Sequence, residues 1–236
     1  MSTLEPNAEA TGTTETPNLV KRVVMVFISP ARLGEALRNR SPWFWTLVPL
    51  AVIGLIVFLL IPTDLILQAA QQGMARRGGG TPPPPETIAR MSRIFGTVGA
   101  LVSPIIGCVV VAAVLYFVFN VLFGQDERYA QHLSAAAHAF WIVTLGAVVT
   151  LPLMIARGDM NTQLSLGLLV QEPTVSFIGR FLNAINIFGL WGTVALGMVE
   201  SGLSGGRVSA GKAITAVIGL YLVWALIIAA FRSVSG

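Results

Sequence analysis

The stretch IFGTVGALVSPIIGCVVVAAVLYFVFNVLF, residues 94–123, decides the fold: it contains no Asp, Glu, Lys or Arg. A helix needs about 20 predominantly apolar residues to cross the hydrocarbon core of a bilayer, and this run exceeds that length. The excess requires a tilt, a protrusion or a bend, and Pro104 is the obvious bending point.

The rest of the chain agrees with this segment. Of its 236 residues, 54% are hydrophobic and only 11% are charged, whereas soluble domains carry about 25% charged residues. So few charges do not cover the surface of a water-soluble fold of this size. Composition therefore argues against a large soluble enzyme, a disordered chain and a disulfide scaffold, and leaves a helical integral membrane protein. The net charge of +4 comes from scattered basic residues, whose longest runs are Lys21-Arg22 and Arg76-Arg77. Such positions read as anchors flanking helices, so no nucleic-acid partner is expected. Cys108 is the single cysteine, which rules out an intrachain disulfide and a metal site built on cysteines.

Outward from 94–123, four more spans are expected. One runs from 43 to 61, opened by Trp43, Phe44 and Trp45 and closed by Pro62; the others cover about 133–155, 177–199 and 213–231. Residues 1–18 form a polar tail. Residues 19–40 form an interfacial amphipathic segment in which Ser29-Pro30 starts a helix, Leu33 and Leu37 share a face, and Arg32, Arg38 and Arg40 surround it. Between the first two spans, 63–74 is weakly amphipathic, and Gly78-Gly79-Gly80-Thr81 with Pro82 to Pro85 is a linker. Leu164 to Val170, ended by Glu172-Pro173, is long enough only to dip into the interface. The expected fold is thus all-α: a five-span transmembrane helical bundle with an N-terminal interfacial helix. With the N-terminus inside, eight Lys and Arg fall on the cytoplasmic side and seven on the other. The five before the first span favour a cytoplasmic N-terminus and an extracytoplasmic C-terminus.

Helices in lipid associate through small-residue seams and polar contacts. Gly99, Ser103 and Gly107 form one seam, and Gly189, Thr193 and Gly197 another. The expected role of both is helix packing within the bundle, with homo-oligomer contact as the lesser reading. Polar side chains inside spans are costly, which makes them candidates for function. Toward the cytoplasmic end these are Tyr116 and Asn120, one turn apart, then Gln131, His132, His138 and Glu200; toward the other end lie Asn183 and Asn186. His132 and His138 are six residues apart, about 240° around a helix, so they do not share a face. A catalytic metal needs about three protein ligands, and a His–Glu pair supplies too few. No catalytic residue, metal or cofactor is expected. Interhelical hydrogen bonding is the plain reading of His138 and Asn120, and a ligand, ion or lipid-headgroup pocket is the alternative.

The order of these elements resembles a known family. Phe27-Ile28-Ser29-Pro30 before the first span resembles the N-terminal signature of bacterial Yip-one domain proteins. Phe123-Gly124-Gln125 and Tyr129-Ala130-Gln131-His132-Leu133 resemble the family's Phe-Gly-Gly turn and the polar segment after it. Asn186-Ile187-Phe188-Gly189-Leu190-Trp191, Gly197 and Ala210-Gly211-Lys212-Ala213 are similar to its fourth and fifth spans. The resemblance covers residues 23–231. It implies a five-span bundle of the bacterial inner (plasma) membrane with a cytoplasmic N-terminus. Eukaryotic members are associated with vesicle traffic and Rab-type GTPases, but the Asp-Leu-x-Gly-Pro motif is absent here, so GTPase binding is not carried over. Asn186 stands where many bacterial relatives are expected to have Asp, which weakens a proton- or cation-coupled role at that position.

These readings converge on a non-enzymatic membrane protein that organises the membrane or partner proteins through its interfacial helix and cytoplasmic loops. Its expected partners are the lipid bilayer and either a membrane protein or a second copy of itself. The competing expectation is a small-solute, ion or lipid-handling transporter with a pocket of Asn120, His138 and Glu200.

Overall fold

A computed structural model of the chain describes residues 17–77, 82–170 and 176–234. Most of the polar tail, the glycines of the linker and Glu172-Pro173 lie outside these residues. Helix α1 (Leu19–Ile28) starts on Asn18, whose side chain accepts a hydrogen bond from the Lys21 amide at 2.9 Å. Ser29 ends it and Pro30, at a first helical position, opens α2 (Pro30–Leu37). There follow α3 (Trp43–Leu59), α4 (Thr63–Arg77) and α5 (Pro85–Tyr116), which continues into a π-helical turn (Phe117–Leu122). The chain then forms α6 (Tyr129–Arg157), a 3₁₀ turn (Leu166–Leu169), α7 (Phe177–Ala184), α8 (Ile187–Leu203) and α9 (Ala210–Val234).

Among the described residues, three stretches are long and apolar enough to cross a membrane: Pro85–Leu122, Tyr129–Arg157 and Ala210–Phe231. A fourth arises if α3 and α4, bent by 89°, are taken as one broken span, while α8 is a shorter apolar helix of 17 residues. Among the described residues the only β-pairing is an isolated bridge between Ser165 and Asn186. The fold is therefore an all-α polytopic membrane bundle.

The structure departs from the sequence reading in three places. First, α5 begins at Pro85 rather than near Ile94, with Pro at the helix start and Glu86 in the first turn. It runs through Pro104 without a break, and its 38 residues to Leu122 reach roughly 57 Å at 1.5 Å per residue. Second, the segment read as one span over 177–199 is two helices. Asn186 caps α8 by accepting from the Gly189 amide at 2.7 Å. The backbone freed at the break pairs with the 164–166 segment: Leu166 N–H donates to Ile185 C=O at 2.9 Å and Ile187 N–H to Leu164 C=O at 3.0 Å.

Third, α2 is packed against another helix of the bundle. Pro30, Leu33, Gly34 and Leu37 are buried, and the helix packs along α8. Two glycines make this approach possible. A Cβ on Gly34 would sit 2.0 Å from the Val199 carbonyl oxygen, and one on Gly202 would sit 2.0 Å from that of Ala31. The backbones thus meet where only hydrogen fits.

Helix α6 is the centre of the bundle. Its first turns, Gln131 through Ala139, are buried without interruption, as expected for a helix enclosed on every side. Ala135, Ala136 and Ala137 let α3, α5 and α8 pack close. One core cluster joins Val26, Leu33, Leu37, Phe119, Ile142 and Val199; a second joins Leu47, Cys108, Ala112 and Leu133.

Candidate polar site at the bundle end

The loop from α5 to α6 closes one end of the bundle. After the π-helical turn, Gly124 takes a positive φ of 67°, which lets the chain reverse without a Cβ clash. A π-helical turn widens the helix and shifts side-chain phase. Tyr116 and Asn120 both reach His132 here: the Tyr116 ring meets the imidazole edge-to-face at 6.0 Å, and Asn120 bonds to it.

His132 and Glu200 form a pair sealed from solvent, at 0% and 1% side-chain exposure. Their Nδ1 and Oε2 atoms are 2.9 Å apart. On the other side of the imidazole, Nε2 lies 3.0 Å from Asn120 Oδ1. Asn120 Nδ2 donates to the Glu127 carbonyl oxygen at 2.6 Å. A carbonyl can only accept, so this bond sets the Asn120 amide and leaves its oxygen facing the histidine. His132 Nε2 must therefore carry a hydrogen. Glu200 Oε1 is buried without a hydrogen-bond partner among the described residues.

The second histidine belongs to a different contact. His138 Nδ1 donates to the Ser134 carbonyl at 2.6 Å, so its Nε2 is a lone-pair acceptor. Arg22 of α1 fills that acceptor through Nε–H at 3.2 Å and also donates to the Pro17 carbonyl. Thr46 Oγ1 lies 3.4 Å away, but its hydrogen is directed to the Pro42 carbonyl. The neutral His138 thus ties the buried Arg22 side chain, and with it α1, to the centre of α6. Burial lowers the Arg22 pKa from its ordinary value.

A third set of contacts caps the same end. Arg207 donates to Asp126 Oδ1 at 2.5 Å and to Glu127 Oε1 at 2.8 Å. The hydrogen bond to Arg207, and then its charge, hold the Asp126 carboxyl below the usual range and raise Arg207. Gln131 donates to the Arg38 carbonyl at 2.6 Å, linking α6 to the end of α2. Lys212 stands 4.5 Å from the Phe123 ring centre, over its face. An open cleft outside this cap is lined by Tyr116, Asn120, Gln125 and residues 126–129.

The expected polar residues therefore separate into distinct groups. Tyr116, Asn120, His132 and Glu200 meet, and His138 stands apart with Arg22. The hydrogen-bonding neighbours of His138 are Arg22, Ser134 and Thr46, whereas Asn120 and Glu200 meet at His132. At the other end, Asn183 accepts from the Ser165 hydroxyl at 2.8 Å and Asn186 serves as a helix cap. Of the small-residue seams, Gly197 meets the Ile214 backbone, Gly189 meets the Tyr221 hydroxyl and Gly107 meets the Phe140 ring. The Thr193 hydroxyl bonds back to the Gly189 carbonyl. A Cβ on Gly99 would meet nothing within 4 Å and Ser103 is exposed, whereas a Cβ on Gly107 would meet the Phe140 ring of α6.

Arg22, Thr46, Glu127 and Arg207 were not singled out from sequence. The only signal for Arg22 was its position inside an apolar run, on the same helix stripe as Val26. Among the described residues no group of three or more His, Cys, Asp or Glu is placed to hold a metal ion.

A helical membrane bundle with its polar groups paired internally at one end is the class that this geometry defines. Residues 24–232 match the Yip1 domain, and the chain belongs to the Yip1 domain family. The family consists of non-catalytic, multi-pass membrane proteins. No curated protein and no solved structure matches the chain.

Proposed function

We propose that this chain is a five-span, non-enzymatic protein that organises lipids or partner proteins from the membrane surface beside α1. The N-terminus is cytoplasmic, the C-terminus is extracytoplasmic, and α3, α5, α6, α7 with α8, and α9 supply the crossings. The observation that carries this reading is the outward edge of α1. Val20, Val24 and Ile28 lie at four-residue spacing and are 72%, 47% and 76% exposed. The opposite side of the helix is anchored by Arg22 and Val26. A helix fixed on one side with an apolar stripe on the other is suited to the headgroup–acyl boundary or to an apolar partner. The sealed His132–Glu200 pair, separate from His138, weighs against a transport pocket.

The test is a photo-crosslinking amino acid placed in intact cells at Val20, Val24 or Ile28. Reproducible lipid or membrane-protein neighbours are expected at all three positions. Leu37, fully buried against the bundle, is the negative control and yields only links within the chain. An absence of neighbours at the α1 stripe would overturn the proposal.

A further inference from the structure

We propose that the His132–Glu200 pair is a proton-binding site whose occupancy sets the hold on the 123–128 loop. The inference rests on hydrogen-bond polarity. Asn120 requires a hydrogen on His132 Nε2, as derived above. At 2.9 Å, Nδ1 and Glu200 Oε2 cannot both present lone pairs, so a second hydrogen lies between them. The closed arrangement therefore holds two protons. That count is the same whether the pair is imidazolium with carboxylate or imidazole with carboxylic acid.

Loss of one proton to water leaves a single hydrogen for two sides of the ring. If it stays on Nε2, lone pairs oppose each other across the Glu200 contact. If it moves to Nδ1, the Nε2 lone pair faces Asn120 Oδ1, and the amide must turn to offer Nδ2 instead. Turning withdraws Nδ2 from the Glu127 carbonyl, which leaves the Gln125 N–H to Phe119 C=O bond as the remaining tie between the middle of the loop and the π-helical turn. Proton loss inside the bundle is thus converted into a weaker hold on a loop at its surface, which the Arg207 clip and the Gln125 backbone bond still retain. Asn120 is the positioning residue that transmits it.

The charged and titratable groups around the pair come from every side of the cap. Tyr116 on α5 meets His132 edge-to-face, and Tyr129 at the start of α6 meets Tyr116 in the same way. Glu127 bears on Glu200 electrostatically, and is itself held with Asp126 by Arg207. Arg38, just after α2, brings its guanidinium against Gly205 after α8, and Lys212 at the start of α9 lies over the Phe123 ring. The Arg207 clip has its own acid limit. The carboxyl of Asp126 is held below its ordinary 3.8, so its contribution is lost only as pH falls through that lower value.

The experiment uses the full chain in lipid nanodiscs, from about pH 5 to about pH 10, a window that brackets ordinary histidine titration. The two histidines are labelled with ¹⁵N, and a spin label is attached at Gln125→Cys. Cys108 is fully buried and does not compete for the label. His132 is expected to show a protonated Nε2 at neutral pH and one transition as pH rises, coincident with a gain in spin-label mobility. Glu200→Gln is expected to abolish both transitions. Asn120→Ala keeps the His132 transition but makes the label mobile throughout. The proposal is overturned if His132 Nε2 is unprotonated at neutral pH, or if the mobility transition persists unchanged in Glu200→Gln. If Glu200→Gln does not fold, Asn120→Ala decides: a wild-type mobility transition in that variant overturns the proposal.

Discussion

His132 and His138 use their two ring nitrogens in opposite senses, and this difference governs what each can tolerate. His138 is a neutral acceptor for Arg22, and both partners are buried. Replacing Arg22 with Met removes the donor and leaves a buried acceptor unsatisfied, a loss of about 1–2 kcal/mol. Unfolding in mixed micelles titrated with SDS measures this. Adding His138→Leu to Arg22→Met should recover part of the loss, because replacing both polar partners with apolar groups is milder than replacing one. A double variant no more stable than Arg22→Met would refute the pairing. The sequence already separates the two histidines by angle around the helix. Which of them meets Glu200 is not legible there, because the π-helical turn at 117–122 resets the phase of Asn120.

The α2–α8 crossing and the α3–α4 corner show what spacing rules catch and what they miss. A search at four-residue spacing finds Gly189 and Gly197 because both lie on one helix. Gly34 has no small residue four positions away, and Gly206, four after Gly202, lies beyond the end of α8, so the importance of Gly34 and Gly202 comes from the facing backbone. Gly202→Ala places a methyl against the Ala31 carbonyl and forces the helices apart. A loss of about 1–3 kcal/mol or more is expected, with protease sensitivity appearing first at residues 29–42. Gly99→Ala is the contrast: nothing lies within 4 Å, so it should leave stability unchanged or raise it by up to about 1 kcal/mol through helix propensity. Equal losses for the two variants would contradict the crossing. At the corner, Arg93 donates to the Ile61 carbonyl at 3.1 Å and to the Thr63 hydroxyl at 3.0 Å. These bonds satisfy carbonyls at the end of α3 and fix the start of α4. Arg93→Met should therefore loosen α4, read as faster amide exchange over 63–75 with α6 unchanged. In sequence, Arg93 stands between the Pro82 to Pro85 linker and the apolar run from Ile94, and nothing there marks it as part of a helix that already begins at Pro85.

At the scale of the molecule, the number of crossings follows from how apolar length is divided, and this division is only partly visible in sequence. A run free of charge, such as 94–123, announces a crossing by itself. The segment 177–203 does not reveal that Asn186 divides it, because an asparagine cap and an interior asparagine look alike until 164–166 pairs with the break. The α6 crossing is independent of that question. Its 29 residues extend about 44 Å at 1.5 Å per residue, farther than the roughly 30 Å hydrocarbon core. A crossing by α6 predicts that Asp126 and Asn161, on either side of it, face opposite compartments. Single cysteines at these positions should react with an impermeant maleimide from opposite sides of sealed vesicles, with no background from buried Cys108. With a cytoplasmic N-terminus, Asp126→Cys reacts only in inside-out vesicles and Asn161→Cys only in right-side-out ones. The reverse pattern would invert the orientation and move the proton-linked loop to the outer face. Reaction of both from one side would mean that α6 does not cross, and the bundle would have to be rebuilt around a different central helix.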